Sequence, residues 1–124
     1  MTNLLDADQS VSQCFAPDGK LAQAIQGFKA RKPQLDMASA VAGAIKDKAQ
    51  LVVEAGTGTG KTFAYLAPAL LANKKVIIST GTKALQEQLF HRDLPLVKKA
   101  LKPRLKTALV KGRSNYLCLY RLEI

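Results

Sequence analysis

The sequence predicts a three-layer α/β domain built on a parallel sheet with flanking helices, and three observations carry that prediction. Short, mainly apolar runs at 51–55, 76–80 and 107–110 alternate with stretches of helical period. Runs of four or five residues separated by helices pair in parallel through right-handed crossovers. A glycine-rich segment, Ala55 to Thr62, joins the first run to the helix after it. At 124 residues the chain supports one core and is too short for two, so the prediction is for one unit, the N-terminal part of such a domain.

Residues 1–17 show no period long enough to define an element and read as a flexible tail ending at Ala16-Pro17. Asp18 is placed to cap a short helix with Leu21, Ile25 and Phe28 near one face, and Lys32-Pro33 marks a break. From Gln34 to Lys48, Met37, Val41, Ala44, Ile45 and Lys48 recur at helical intervals, predicting an amphipathic helix laid against the sheet. Leu51 to Ala55 reads as a strand covered on both faces. Lys61 to about Ala72 fits a helix in which Pro68 removes one backbone donor and introduces a kink. Val76 to Thr80 is the second strand, Thr82 to about His91 a helix, Leu94 to Leu101 further helical turns, and Thr107 to Val110 the third strand.

Apolar residues make up 48% and charged residues 23%, the balance of a folded soluble protein. The longest nearly apolar stretch, Phe63 to Ala72, is ten residues, against roughly 20 for a membrane span. No secretory signal opens the chain, and the expectation is a cytoplasmic protein without a membrane partner. Two cysteines, Cys14 and Cys118, are too few for a disulfide framework. Nineteen Lys and Arg against nine Asp and Glu give a net charge of +10, and Lys98 to Arg113 holds seven bases and no acid. Such a stretch suits a polyanion, because neutralising phosphates releases counterions; a solvated face would have the same composition.

Ala55-Gly56-Thr57-Gly58-Thr59-Gly60-Lys61-Thr62 stands between strand and helix, where a phosphate-binding loop must stand. Its backbone must curl until consecutive N–H groups face phosphate oxygens, and Gly58 and Gly60 permit that curl. The helix start adds partial positive charge, the Lys61 ammonium reaches the β- and γ-phosphates, and the Thr62 hydroxyl ligates Mg²⁺. Ala55 replaces the usual first glycine. The loop alone does not choose among GTPases, kinases, transporters and helicases, although no Asn-Lys-x-Asp guanine-reading segment occurs.

Three ordered segments, Gly27-Phe28-Lys29-Ala30-Arg31-Lys32-Pro33-Gln34, Val53 to Thr62, and Lys111-Gly112-Arg113-Ser114-Asn115-Tyr116-Leu117-Cys118, together resemble the DinG/YoaA branch of the XPD-like superfamily 2 iron-sulfur DNA helicases. The likeness runs from about Phe15 to the end. It implies a partial RecA-like P-loop NTPase domain over 18–111 and the start of an iron-sulfur domain over 112–124. It further implies that Gln34, with Phe28 and Arg31 nearby, reads adenine: a glutamine amide offers the donor and acceptor that complement the N6 and N7 edge. By residue type alone, Gln34 is an exposed polar residue opening a helix.

Ser79 to Gln86 resembles helicase motif Ia, which implies that Thr80, Thr82, Lys83 and Gln86 contact the backbone of single-stranded DNA. Hydroxyls, a helix N-terminus and a lysine suit phosphate; a helix cap by Thr80 or Thr82 is the simpler use of the same residues and is compatible with it. Arg113 and Asn115 are implied DNA contacts, or else a loop arginine and a turn-forming asparagine. Cys118 resembles the first of four cysteines holding a [4Fe-4S] cluster; with only Cys14 besides, this chain alone cannot form one, and on residue type Cys118 would be a small buried hydrophobe.

The resemblance implies an ATP-dependent 5′–3′ DNA helicase of replication or repair, associated with the nucleoid and meeting replication or repair proteins through other regions. An acidic Walker B segment, three cluster cysteines and a second lobe with an arginine finger are absent from these 124 residues, so the chain by itself is expected to be inactive. Two other readings remain open: a P-loop ATPase switch without helicase activity, separated by indifference to DNA, and a non-enzymatic basic module that binds nucleic acid, separated by failure to bind Mg-ATP.

Overall fold

Residues 10–14 are helical, where the sequence reading placed a flexible tail. Val11, Cys14 and Phe15, spaced three and four residues apart, form one apolar face and are buried. The computed structural model describes residues 10–123, so the rest of the expected tail, 1–9, lies outside the described residues.

Helix α1 (Lys20–Ala24) buries Leu21. The cap expected from Asp18 does not form: Gly19 is the N-cap residue, and the Asp18 carbonyl instead accepts a hydrogen bond from Gln23 Nε2 at 2.8 Å. Helix α2 (Lys32–Asp47) carries Pro33 in its first turn, where the missing N–H costs nothing, and ends at Lys48 in the left-handed region. Helix α3 (Lys61–Leu71) runs through buried Pro68 without a break. Helices α2 and α3 form the most extensive helix pair, with Ala38 and Ala42 of one and Ala64 and Ala67 of the other buried; short side chains let the two backbones approach closely.

Helix α4 (Lys83–Gln88) passes through a π-helical turn, Leu89–Asp93, into α5 (Leu94–Leu101). Pro95 explains the wide turn. It cannot donate to the His91 carbonyl and its ring crowds that oxygen, so the ladder shifts and the Leu94 N–H bonds to Leu89 O. Helix α5 packs on α1 and α3 and completes a core around Val11, Leu21, Leu66 and Val97, all essentially sealed from solvent. Burying side chains of this size contributes about 1.5–3 kcal/mol each. Phe28 stands between Phe15 and Phe63 with ring centroids 6.1 Å from each, tying the N-terminal turn to α3.

The parallel sheet is the main departure from expectation. No strand occurs among the described residues, and the runs 51–55, 76–80 and 107–110 exchange no ladder hydrogen bonds. Val52, Ile77 and Val110 are 97%, 91% and 80% exposed. A strand exists only where a neighbouring backbone satisfies its N–H and C=O groups, and here Val76 to Thr80 and Leu105 to Val110 face a shared groove of about 820 Å³ floored by Leu66, Ala69 and Leu70. Composition marks these residues as sheet formers, but the partners that would pair them are missing from the fold. A short 3₁₀ turn, Arg113–Asn115, and helix α6 (Leu119–Leu122) end the chain without buried residues. No helix among the described residues is long and apolar enough to cross a membrane.

Candidate functional site

The turn from Ala55 to Thr62 has the backbone that a phosphate cradle demands. Gly58 and Gly60 hold φ of 82° and 79°, a region costly for residues with a Cβ. Nothing lies within 4 Å of where a Cβ would stand on Gly56 or Gly58, so the mouth of the turn is open. Gly60 is the N-cap of α3 and supplies no side-chain cap; the first N–H groups of the helix therefore keep no partner of their own and present partial positive charge. Lys61 Nζ donates to Ala55 O at 2.8 Å and Thr59 Oγ1 to Gly56 O at 2.7 Å. The ammonium is thus folded over its own loop, exposed, and held by a neutral carbonyl that an anionic oxygen would outcompete. Glycine freedom, open space and this donor set fit the triphosphate of a nucleotide with its Mg²⁺.

Thr62, one residue into the helix, shares a hydrogen bond with Tyr65. Burial pushes the Tyr65 phenol above its ordinary range, the Thr62 bond opposes that, and the charge of Asp93 adds to it. Asp93 is itself buried. Sequence reasoning missed both neighbours. Tyr65 was legible, being three residues from Thr62 on one helix face, whereas Asp93 is brought close only by the packing of the π-helical turn against α3.

Gln34 is 4% exposed and donates from Nε2 to Gly60 O at 3.0 Å. The fold therefore brings it to the loop, but as a buried side chain rather than the exposed one that residue type suggested. Phe28 is partly buried in the aromatic row described above, and Arg31, the N-cap residue of α2, is exposed.

The segment resembling motif Ia is built differently. Thr82 Oγ1 accepts from the Leu85 N–H at 3.1 Å, capping α4, and Thr80 Oγ1 donates to Thr82 O at 3.4 Å. Lys83 is exposed. Gln86 Nε2 donates to Val110 O at 3.0 Å, so this side chain anchors the third apolar run. Beside it Glu87 bridges Lys111 at 2.7 Å and His91 at 3.1 Å. The hydrogen-bonded Lys111 ammonium holds the Glu87 carboxyl below the usual range against a smaller opposing effect of burial, with His91 adding to the lowering.

Within the basic stretch, Lys98 donates to Thr107 Oγ1 at 3.3 Å and Lys111 is engaged by Glu87, while Lys99, Lys102, Arg104, Lys106 and Arg113 are exposed. The Asn115 N–H closes a turn onto Gly112 O at 2.9 Å. Cys118 is exposed, not buried as its residue type suggested, and Cys14 is buried, its thiol pushed up to about 11 mainly by desolvation. Among the described residues no group of three or more His, Cys, Asp or Glu could hold a metal ion. These residues do not fit an iron-sulfur cluster, and no chemistry is derived through one.

The sequence matches the family model described as DEAD/DEAH box helicase over residues 34–122. It is 72% identical over 109 residues to the ATP-dependent DNA helicase YoaA of Escherichia coli K12, covering 88% of this chain and 17% of the relative. It is 60% identical over 119 residues to YoaA of Haemophilus influenzae, covering 96% and 19%. The ATP-dependent helicase DinG of Mycobacterium tuberculosis H37Rv is 46% identical over 123 residues, covering 93% and 18%. The chain thus spans less than a fifth of the length of these relatives. No solved structure matches it. With the family model covering the second half of the Gln34–Gly60 contact, the whole loop and everything after it, the chain belongs to the DEAD/DEAH box helicases.

Proposed function

We propose that this chain is the nucleotide-binding N-terminal part of an ATP-dependent 5′–3′ DNA helicase. The observation that carries the reading is the open, left-handed turn at Gly58 and Gly60 leading into an uncapped α3 with Lys61 at its first position. The loop N–H groups and Lys61 bind the β- and γ-phosphates, and Thr62 turns from Tyr65 to Mg²⁺. The exposed bases between Lys99 and Arg113, with Lys83 and the start of α4, meet the phosphates of single-stranded DNA without reading its bases. In a longer protein the three bare apolar runs become strands of a RecA-like sheet, and Cys118 becomes one of four thiolates on a [4Fe-4S] cluster. Such a protein works in the cytoplasm at the nucleoid, with replication or repair proteins as partners.

Binding and turnover separate in this chain, because nothing among its described residues would compensate charge developing during phosphoryl transfer beyond Lys61 and the loop. Calorimetric titration with Mg-ATP should show binding that Lys61→Ala weakens about 100-fold, as expected for loss of a charge-assisted contact, while phosphate release stays at background. Binding unaffected by Lys61→Ala would overturn the reading.

A further inference from the structure

The Gly60 carbonyl is the most heavily engaged oxygen of the loop. It accepts the Ala64 N–H at 3.2 Å, the first bond of α3, and also Gln34 Nε2 at 3.0 Å. Both its lone pairs are therefore used. A peptide unit is planar and trans, so fixing the Gly60 C=O also fixes the Lys61 N–H, which points the opposite way along the same plane. The carbonyl is held toward α2 and the body of α3; the N–H is thereby aimed out of the helix start, into the mouth of the loop. Gln34 is carried on α2, and α2 is locked to α3 by the closest helix packing in the molecule. At 4% exposure it has almost no free edge to offer a base. A Cβ on Gly60 would run into the Gln34 side chain, so the two residues are fitted to each other.

We propose that Gln34 is a positioning residue of the phosphate loop: its amide holds the Gly60–Lys61 peptide in the orientation that presents the Lys61 N–H to phosphate, whatever base the nucleotide carries. This rests on the phosphate-loop reading above and replaces adenine recognition as the task of Gln34. A side chain that orients a phosphate donor acts on the triphosphate tail, so its loss is felt equally by ATP, by GTP and by a tail with no base at all.

The test titrates the 124-residue chain with Mg-ATP, Mg-GTP and inorganic triphosphate, taking as loop-specific the part that Lys61→Ala removes. Gln34→Met fills the same volume without a donor, and Gln34→Glu keeps the shape but sets an acceptor against the Gly60 carbonyl. Thermal melting of both variants identifies any that fail to fold, and each is sufficient alone. The expected result is a loss of about tenfold, one hydrogen bond's worth, equal for all three ligands. A loss confined to ATP would make Gln34 an adenine reader and overturn the proposal, as would no loss for any ligand. If the wild-type chain shows no Lys61-dependent binding of any of the three, the phosphate-loop reading itself falls and takes this inference with it.

Discussion

Two turns in this molecule do the same local job and resolve it in opposite ways. Each follows an apolar run and opens a helix, one from Ala55 to Thr62 before α3, the other from Ser79 to Thr82 before α4. At the second, the Thr82 hydroxyl takes the Leu85 N–H, so one orphan donor of the helix start is consumed internally. At the first, Gly60 has no side chain to give, and the donors are left for something outside the protein. The supports differ as well: the first turn is held from behind by Gln34 and the buried α2–α3 pair, the second only by exposed bonds from Gln86 and Glu87 to the run at 110–111. An open helix start is thus built on a rigid base here, and a capped one on a loose base. The donors of a capped start remain close enough to meet a phosphate backbone, but they are not preorganised for a single anion.

The contrast can be broken most forcefully at Gly60. Gly60→Ala combines a Cβ in the left-handed region with a collision against buried Gln34, and should cost about 2–4 kcal/mol in denaturant unfolding. Gly58→Ala has the same backbone penalty but open space around it, and should cost only about 1 kcal/mol. Equal losses at the two glycines would mean that Gln34 does not brace the loop.

A smaller effect is expected from Thr82→Ala, which removes the α4 cap and should cost about 1 kcal/mol while leaving Lys61-dependent nucleotide binding unchanged in the same titration. Weakened nucleotide binding in that variant would show the two turns to be coupled.

The smallest effect concerns Glu87. Its carboxyl titrates below the ordinary glutamate value of 4.5, so its contribution is fully present above that value and is lost as pH falls through the lower, folded one. Acidification below about pH 4.5 should loosen the segment at 110–111 from α4. Hydrogen exchange at Lys111, whose N–H bonds to Tyr116 Oη at 3.0 Å, should rise there in wild type, and in Lys111→Met it should be raised already at neutral pH. Exchange insensitive to both changes would show that the bridge does not hold the segment.

Much of the site was legible because its requirements are local. Glycines at 58 and 60, a lysine and a threonine after them, and a helix pattern beyond are sequence neighbours, and the geometry they need is set by their own backbone angles. The helices at 32–47, 61–71 and 94–101 were equally readable from their period. The N-terminal turn was misjudged because its face consists of only Val11, Cys14 and Phe15, too short a pattern to stand out before the rest of the core is known. Asp18 was a plausible cap by type, but the chain reverses one residue later, at Gly19.

Sequence by itself determined where the phosphate loop lies, which residues line it, which segments are helical and where the positive charge gathers. All of these follow from chemistry carried within a few consecutive residues. Tertiary structure alone decided that Gln34 turns inward to the Gly60 carbonyl, that Asp93 stands near Tyr65, that Gln86 serves Val110, and that the three apolar runs remain unpaired. Each of these depends on what a group meets across space, and a hydrogen-bonding group takes whichever partner the packing of distant elements places within reach.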